Sequence, residues 1–270
     1  MALLALSACN SIFGNRAVGE GDARFFDAPL DGAVLCPQAG VEPRFSPILH
    51  PVIDQDCASY AIAADTQRAY ALCGGLIFSG PVDERLEAEP GLPVPTEELG
   101  LANPRVSPDG DLLLVTTFDL TLTQTTYQSY SPGATGWTRG PDLPLPQFGN
   151  VSVPSRGPDR RVIFYDSNVG KEFRQDATGV WSEVRDVVFG PSPGVHTVWL
   201  ASDALRIVSW EQPSSGVSAL YYADRPTRDD DFSPPRLFAG VPVTHDLFIT
   251  EGCTRVYMSS VQTIFYALGQ

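Results

Sequence analysis

Apolar and polar positions follow one another along this chain in short runs rather than in long helical stripes. In "RVSPDGDLLLVTTF", Arg105 to Phe118, two runs rich in β-branched and apolar residues flank a polar turn. Runs of this length bounded by turn formers predict strands. The turn itself is legible. Pro108 presets φ for its second position, Asp109 tolerates the third, and Gly110 can take φ > 0 at the fourth, which predicts a type I turn with a glycine bulge. One such hairpin is marginal in water, so the pattern predicts neighbours for it.

The same outline recurs. "IAADTQRAYAL", "RVSPDGDLLLV", "PSRGPDRRVIF" and "LASDALRIVSW" place Asp65, Asp109, Asp159 and Asp203 in turns between apolar runs, 44, 50 and 44 residues apart. A degraded copy, "FITEGCTRVYM", puts Glu251 a further 48 residues on. A period near ~45 residues with several strands per unit is the signature of a β-propeller blade. Later in the units, "WTRGPDL", "WSEVRDV" and "FSPPRLF" read as outer strands led by Trp137, Trp181 and Phe232, and "SALYYADR" reads as a third strand. Four strands per unit is the propeller's number.

The expected fold is therefore all-β: a five-bladed β-propeller of four-stranded antiparallel blades over residues 25–270. A six-bladed ring and a β-sandwich are the alternatives that the same short strands allow. The last unit runs out before an outer strand. "FFDAPL", Phe25 to Leu30, has the residue order of "FSPPRLF". It is expected to supply that strand and so remove two exposed edges.

"SPDG" between two apolar strands resembles the repeat of TolB-like and WD-type propellers. The resemblance covers Phe45 to Gln270 and is strongest at Asp109. It implies that the marker acids hold turns rather than act in catalysis, and that the innermost strands begin around the mouth of a central channel. Reading back from each marker places Asp56, Asn103, Asn150, His196 and His245 at that mouth. Such a ring could bind a cation or a polar ligand, because histidine, amide and carboxylate groups are all competent donors. It could also simply cap neighbouring blades through hydrogen bonds.

Composition agrees with one large β domain: 270 residues, 43% hydrophobic and 10% aromatic, with 24 glycines and 24 prolines spread along the chain. Eighteen basic against 32 acidic residues give a net charge of −14, which repels phosphate backbones. Nucleic acid is therefore not an expected partner.

At the N-terminus, "MALLALSACN" is a short apolar run ending in small residues before Cys9. "LSAC" resembles a bacterial lipobox. The resemblance implies cleavage before Cys9 and acylation of that residue, with residues 1–8 a partial signal peptide and 9–24 a lipidated N-terminus and tether. No basic residue precedes Cys9, so the true start is expected upstream. Asn10 in place of aspartate implies sorting to the outer membrane. Membrane contact is expected through the lipid alone, since no run approaches the ~20 apolar residues of a spanning helix.

Export permits disulfides among the remaining cysteines, Cys36, Cys57, Cys73 and Cys253. Cys57 and Cys73 flank the first blade's hairpin and fall opposite each other in one strand register. Cys36 and Cys253 are then the remaining pair. No CxxC spacing or nearby histidine suggests a metal, and no cofactor is expected.

The expected function is that of an exported, lipid-anchored, noncatalytic binding module at the bacterial cell envelope. Its expected partner is an envelope protein or glycan, and a monomer is expected. The alternative is a propeller-fold glycoside hydrolase using the channel-end carboxylates Asp54, Asp56 and Asp246. Neither GxSxG nor HExxH occurs.

Overall fold

Turn chemistry sets the hairpins, and the hairpins set the sheets. The computed structural model describes residues 50–54, 57–63, 65–82, 84–93, 96, 99–119, 124–134, 136–145, 149–166, 169–189, 195–211, 219–238, 246–249, 255–259 and 263–268. Their strands are β1 (His50–Asp54), β2 (Ala58–Ala63), β3 (Arg68–Cys73), β4 (Leu76–Pro81), β5 (Glu87–Ala88), β6 (Leu99–Val106), β7 (Leu113–Asp119), β8 (Thr125–Gly133), β9 (Gly136–Arg139) and β10 (Asn150–Val151). They continue with β11 (Arg161–Asp166), β12 (Val169–Gln175), β13 (Trp181–Val187), β14 (Val195–Leu200), β15 (Arg206–Glu211), β16 (Ala219–Asp224), β17 (Arg236–Leu237), β18 (Asp246–Ile249), β19 (Arg255–Ser259) and β20 (Thr263–Leu268).

The arrangement is an all-β propeller of four-stranded antiparallel blades. Four blades are contiguous runs of chain, in the orders β2-β3-β4-β5, β6-β7-β8-β9, β10-β11-β12-β13 and β14-β15-β16-β17. A further four-stranded sheet is composite, in the order β1-β20-β19-β18. These are separate sheets, not the two packed sheets of a sandwich. Their inner strands neighbour one another, with β2 beside β6, β14 beside β18, and β18 beside β2.

Burial follows position in the blade. The second strands β7 and β11 are buried on both faces along most of their length, whereas β5 and β17 are exposed throughout. Strands covered on both sides need continuous apolar runs rather than alternation, which is what "LLV" and "RVIFY" supply. The faces pack blade against blade: Leu114 and Tyr127 meet Val162 and Phe164 in one cluster, and Ile163 and Tyr165 meet Val198 and Ile207 in another. Gly149 permits one of these contacts, because a Cβ there would stand 2.4 Å from the Phe164 ring and 2.8 Å from the Tyr165 carbonyl. Tyr127 crosses the same seam to donate to the Gly149 carbonyl, and its burial pushes the phenol pKa well up.

The marker turn at Asp109 forms as its residues require. The Gly110 amide donates to the Ser107 carbonyl at 2.9 Å and Gly110 has φ +77°. The first blade confirms the cysteine register through a local irregularity. Ala58 pairs with Leu72, but beyond a bulge at Ser59 the register slips by one, so that Tyr60 pairs with Ala71. Continuing the Ala58 register places Cys57 opposite Cys73. The two are joined as a disulfide with Cα atoms 4.1 Å apart.

Three expectations are corrected. The strand that completes the composite sheet is His50–Asp54, paired through His50 with Tyr266 and Asp54 with Thr263, and not Phe25–Leu30. The physical reason is connection length. Only three residues separate β1 from β2, so β1 makes an outer-to-inner step shorter than the ten residues between β5 and β6 or the eight between β17 and β18. Second, the outer strand of the fourth contiguous blade is only Arg236–Leu237, because Pro234 and Pro235 have no N–H to give the ladder. Phe232 instead lies under the Arg225 guanidinium, 4.2 Å from its ring centroid. Third, Asp54 belongs to the outermost strand of its sheet and not to a channel end. The segment of residues 1–49, with Cys9, Phe25–Leu30 and Cys36, lies outside the described residues, as do Asp56, His245 and Cys253.

Candidate functional site

Three of the innermost strands, β2, β6 and β14, carry a register break at a polar residue. In β6 the register breaks between Ala102 and Arg105, and Asn103 there has φ +45°. In β2 it breaks at Ser59, with φ +53°. In β14 it breaks between Val195 and Thr197, the position of His196. Bulges re-aim side chains, and asparagine tolerates the left-handed region better than most residues.

These positions converge. The Ser59 hydroxyl donates to Asn103 Oδ1 at 2.8 Å, and Asn103 Nδ2 donates to Asn150 Oδ1 at 3.0 Å. A directed hydrogen-bond chain therefore runs across three blades at one end of their inner strands, and all three residues are half-buried. Just behind it the buried Arg105 donates through Nε to the Val151 carbonyl at 3.2 Å, which fixes β6 against β10. The pattern of amides and a hydroxyl offers neutral donors and acceptors rather than charge. It suits carbonyl, amide or hydroxyl groups of a ligand.

Of the residues expected at this end, the structure brings together Asn103 and Asn150 and places His196 at the corresponding bulge. Ser59 was missed. It stands six residues before Asp65, as Asn103 stands six before Asp109, but Asn150 stands nine before Asp159 and His196 seven before Asp203, so no single offset marked it. Asp246 opens the inner strand β18, three strands away from Asp54 in the same sheet.

The marker turns occupy the opposite end of these strands. Asp109 accepts the Ser107 hydroxyl and the Asp111 amide, and Asp203 accepts the Leu205 amide at 2.8 Å. The turns are also tied to each other. The Asp65 amide donates to the Pro108 carbonyl at 2.9 Å and the Arg156 amide to the Ser202 carbonyl at 2.8 Å. The Arg156 guanidinium pairs with the Asp65 carboxylate, a bond that skips the intervening blade. Arg228 donates through Nε to the Asp203 carbonyl and through Nη1 to that of Asp159. Asp159 itself lies within ion-pair reach of Arg161, Arg174 and Arg228.

A denser charge cluster sits between the third and fourth contiguous blades. Glu172, fully buried on β12, accepts from Arg225 at 2.7 and 2.9 Å and from Arg161 at 3.2 Å, with Arg185 Nε 3.1 Å away. Burial works against the Arg161 charge, but its hydrogen bond to Asp229 and the Glu172 carboxylate outweigh that and hold its pKa above the usual value. A carboxylate so fully engaged is not available to a substrate. The cluster is a blade-to-blade tie. Among the described residues, no group of three His, Cys, Asp or Glu side chains is placed to hold a metal ion, and no helix is long and apolar enough to cross a membrane.

No family model and no curated protein matches the chain. Solved structures do. A functionally unknown protein from Desulfotomaculum acetoxidans is 13% identical, with 77% of this chain and 64% of that one covered and a TM-score of 0.53. TolB from Acinetobacter baumannii is 11% identical over 79% of this chain and 54% of its own, with a TM-score of 0.49. Kuenenia stuttgartiensis hydrazine synthase is 13% identical over 77% and 56%, with a TM-score of 0.45. The chain spans less than two thirds of the length of each of these structures. At such identities the likeness concerns the fold alone.

Proposed function

We propose that this chain is a noncatalytic interaction module of the bacterial envelope, held to the outer membrane by a lipid on Cys9. In this reading the composite sheet is the fifth blade of a closed ring, since β18 lies beside both β14 and β2. The ring encloses a channel with two unlike ends. At one end the marker turns are tied across the axis by Arg156 and Asp65. At the other, Ser59, Asn103 and Asn150 present a linked row of neutral polar groups. That row is the observation that carries the proposal, with His196 at the fourth corresponding position. A site of amides and hydroxyls without a described pair of carboxylates recognises an envelope protein or a glycan better than it cleaves one.

The test compares two proteins that differ only at the ring. Asn103→Gly removes the amide and keeps a residue that accepts φ +45° without strain. Lipidated wild type and the variant are used to capture components from detergent-solubilised envelopes and from digested peptidoglycan. The expected result is a component retained by wild type and reduced at least ~10-fold in the variant, the cost of about one lost hydrogen-bonding group. Identical captured sets contradict the proposed site. In the same strains, fatty-acid label should enter the wild-type protein and be absent from Cys9→Ser; equal labelling removes the anchor from the account, because stable membrane attachment requires the acyl chains.

A further inference from the structure

The two asparagines of the channel-end row stand on poorly anchored backbone. β10 has only two residues, paired as Asn150 with Tyr165 and Val151 with Phe164. So short a ladder does little to fix the direction of the Asn150 side chain, yet its Oδ1 meets Asn103 Nδ2 at 3.0 Å from 47 residues away in sequence. The Asn103 side is no stiffer. The register of β6 breaks across Asn103 and Pro104, and Pro104 has no N–H to give a ladder. The link between the two amides therefore needs support from outside both ladders.

Two buried side chains of the second contiguous blade supply it. Arg105, 4% exposed, donates through Nη1 to the Pro104 carbonyl and through Nε to the Val151 carbonyl, both at 3.2 Å. One planar guanidinium thus grips the residue that follows Asn103 and the residue that follows Asn150. Tyr127, on β8 and 1% exposed, donates its hydroxyl to the carbonyl of Gly149, the residue before Asn150. Its ring stands edge-on to Phe164, with centroids 6.2 Å apart. Asn150 therefore lies between two carbonyls held from the neighbouring blade. Buried carbonyls need donors, and arginine's rigid fork gives a two-point hold that the single ammonium of lysine does not reproduce.

We propose that Arg105 and Tyr127 are the positioning residues of the channel-end row. They hold Asn103 and Asn150 in the relative placement that links their side-chain amides, so that a ligand meets a row already ordered. This rests on the reading of that row as the recognition site. Groups ordered in advance lose less freedom when a ligand arrives, so slackening the pair should weaken binding without removing any group of the row itself.

The test follows exchange of the Asn103 side-chain amide hydrogens with solvent in the isotope-labelled full chain, without ligand. Tyr127→Phe removes one oxygen and keeps the ring, and exchange should rise ~5-fold, the scale of one neutral hydrogen bond. Arg105→Lys keeps the charge, so a need for charge alone leaves exchange as in wild type, whereas loss of the two-point hold raises it ~10-fold or more. Val198→Ala opens space in the cluster on the opposite face of β11, with Ile163 and Ile207, and should lower the melting temperature while leaving the exchange unchanged. Wild-type exchange in Tyr127→Phe or in a folded Arg105→Lys, or an equal rise in Val198→Ala, would overturn the proposal. Tyr127→Phe decides alone where Arg105→Lys does not fold. In the envelope capture both variants should retain the component ~10-fold less than wild type, and wild-type retention with altered exchange would overturn their part in recognition. A wild type that captures nothing removes the recognition site, while the exchange result still decides whether the two residues position the pair.

Discussion

Replacing Glu172 with alanine should lower the unfolding free energy by about 3–5 kcal/mol, the cost of removing one partner from a buried ion cluster. The magnitude comes from what is left behind. Arg161 and Arg225 keep only 1% and 0% side-chain exposure and would lose their shared carboxylate without gaining water. Each kcal/mol shifts the midpoint of a domain this size by about 2–4 °C, so the melting temperature should fall by roughly 10 °C. Glu172→Gln keeps the shape and not the charge, and should be nearly as costly. Asp229→Ala removes a partner of Arg161 whose own side chain is 84% exposed, and should cost less than ~1 kcal/mol. Urea unfolding of the three variants separates the cases. A Glu172→Ala protein within ~1 kcal/mol of wild type would mean that the cluster does not join the blades.

The second large effect concerns the first blade. Cys57→Ala together with Cys73→Ala should cost about 3 kcal/mol in the chain-entropy account, given a sequence separation of 16. Both residues are buried, so alanine avoids placing a new polar group there. Reductant should lower the wild-type melting temperature by the same amount and leave the double variant unchanged. Equal sensitivity of both proteins to reductant would assign the loss to another bridge.

Local chemistry was the legible part of this sequence. The turn at Asp109 and Gly110, the Trp137- and Trp181-led outer strands and the Cys57–Cys73 register all depend on residues close in sequence, and each formed as its side chains dictate. What failed depended on choices between distant segments. Phe25–Leu30 and His50–Asp54 both offer short apolar strands with a proline, and only the three-residue connection to β2 selects the second. Ser59 was not legible because the offset from marker to channel end varies between six and nine residues, and Asp56, nine before Asp65, matches Asn150, nine before Asp159. The Glu172 cluster was invisible because Arg161, 11 residues away, meets it only once β11 pairs with β12, and Arg225, 53 residues away, only when blades pack. The one trace of it was an acid inside the strand "VGKEFRQ", where a solvated face would have been the ordinary reading.

The claim at the centre of this account is that ligands are received at the Ser59, Asn103 and Asn150 end of the channel. The most direct measurement follows the side-chain amide resonances of Asn103 and Asn150 in the isotope-labelled protein as the captured envelope component is titrated in. Recognition at this end predicts that both move first and furthest, with the Ser59 backbone amide moving alongside them. Shifts confined to the turn end around Asp65 and Arg156, or to β13, with both asparagines unmoved, would contradict it.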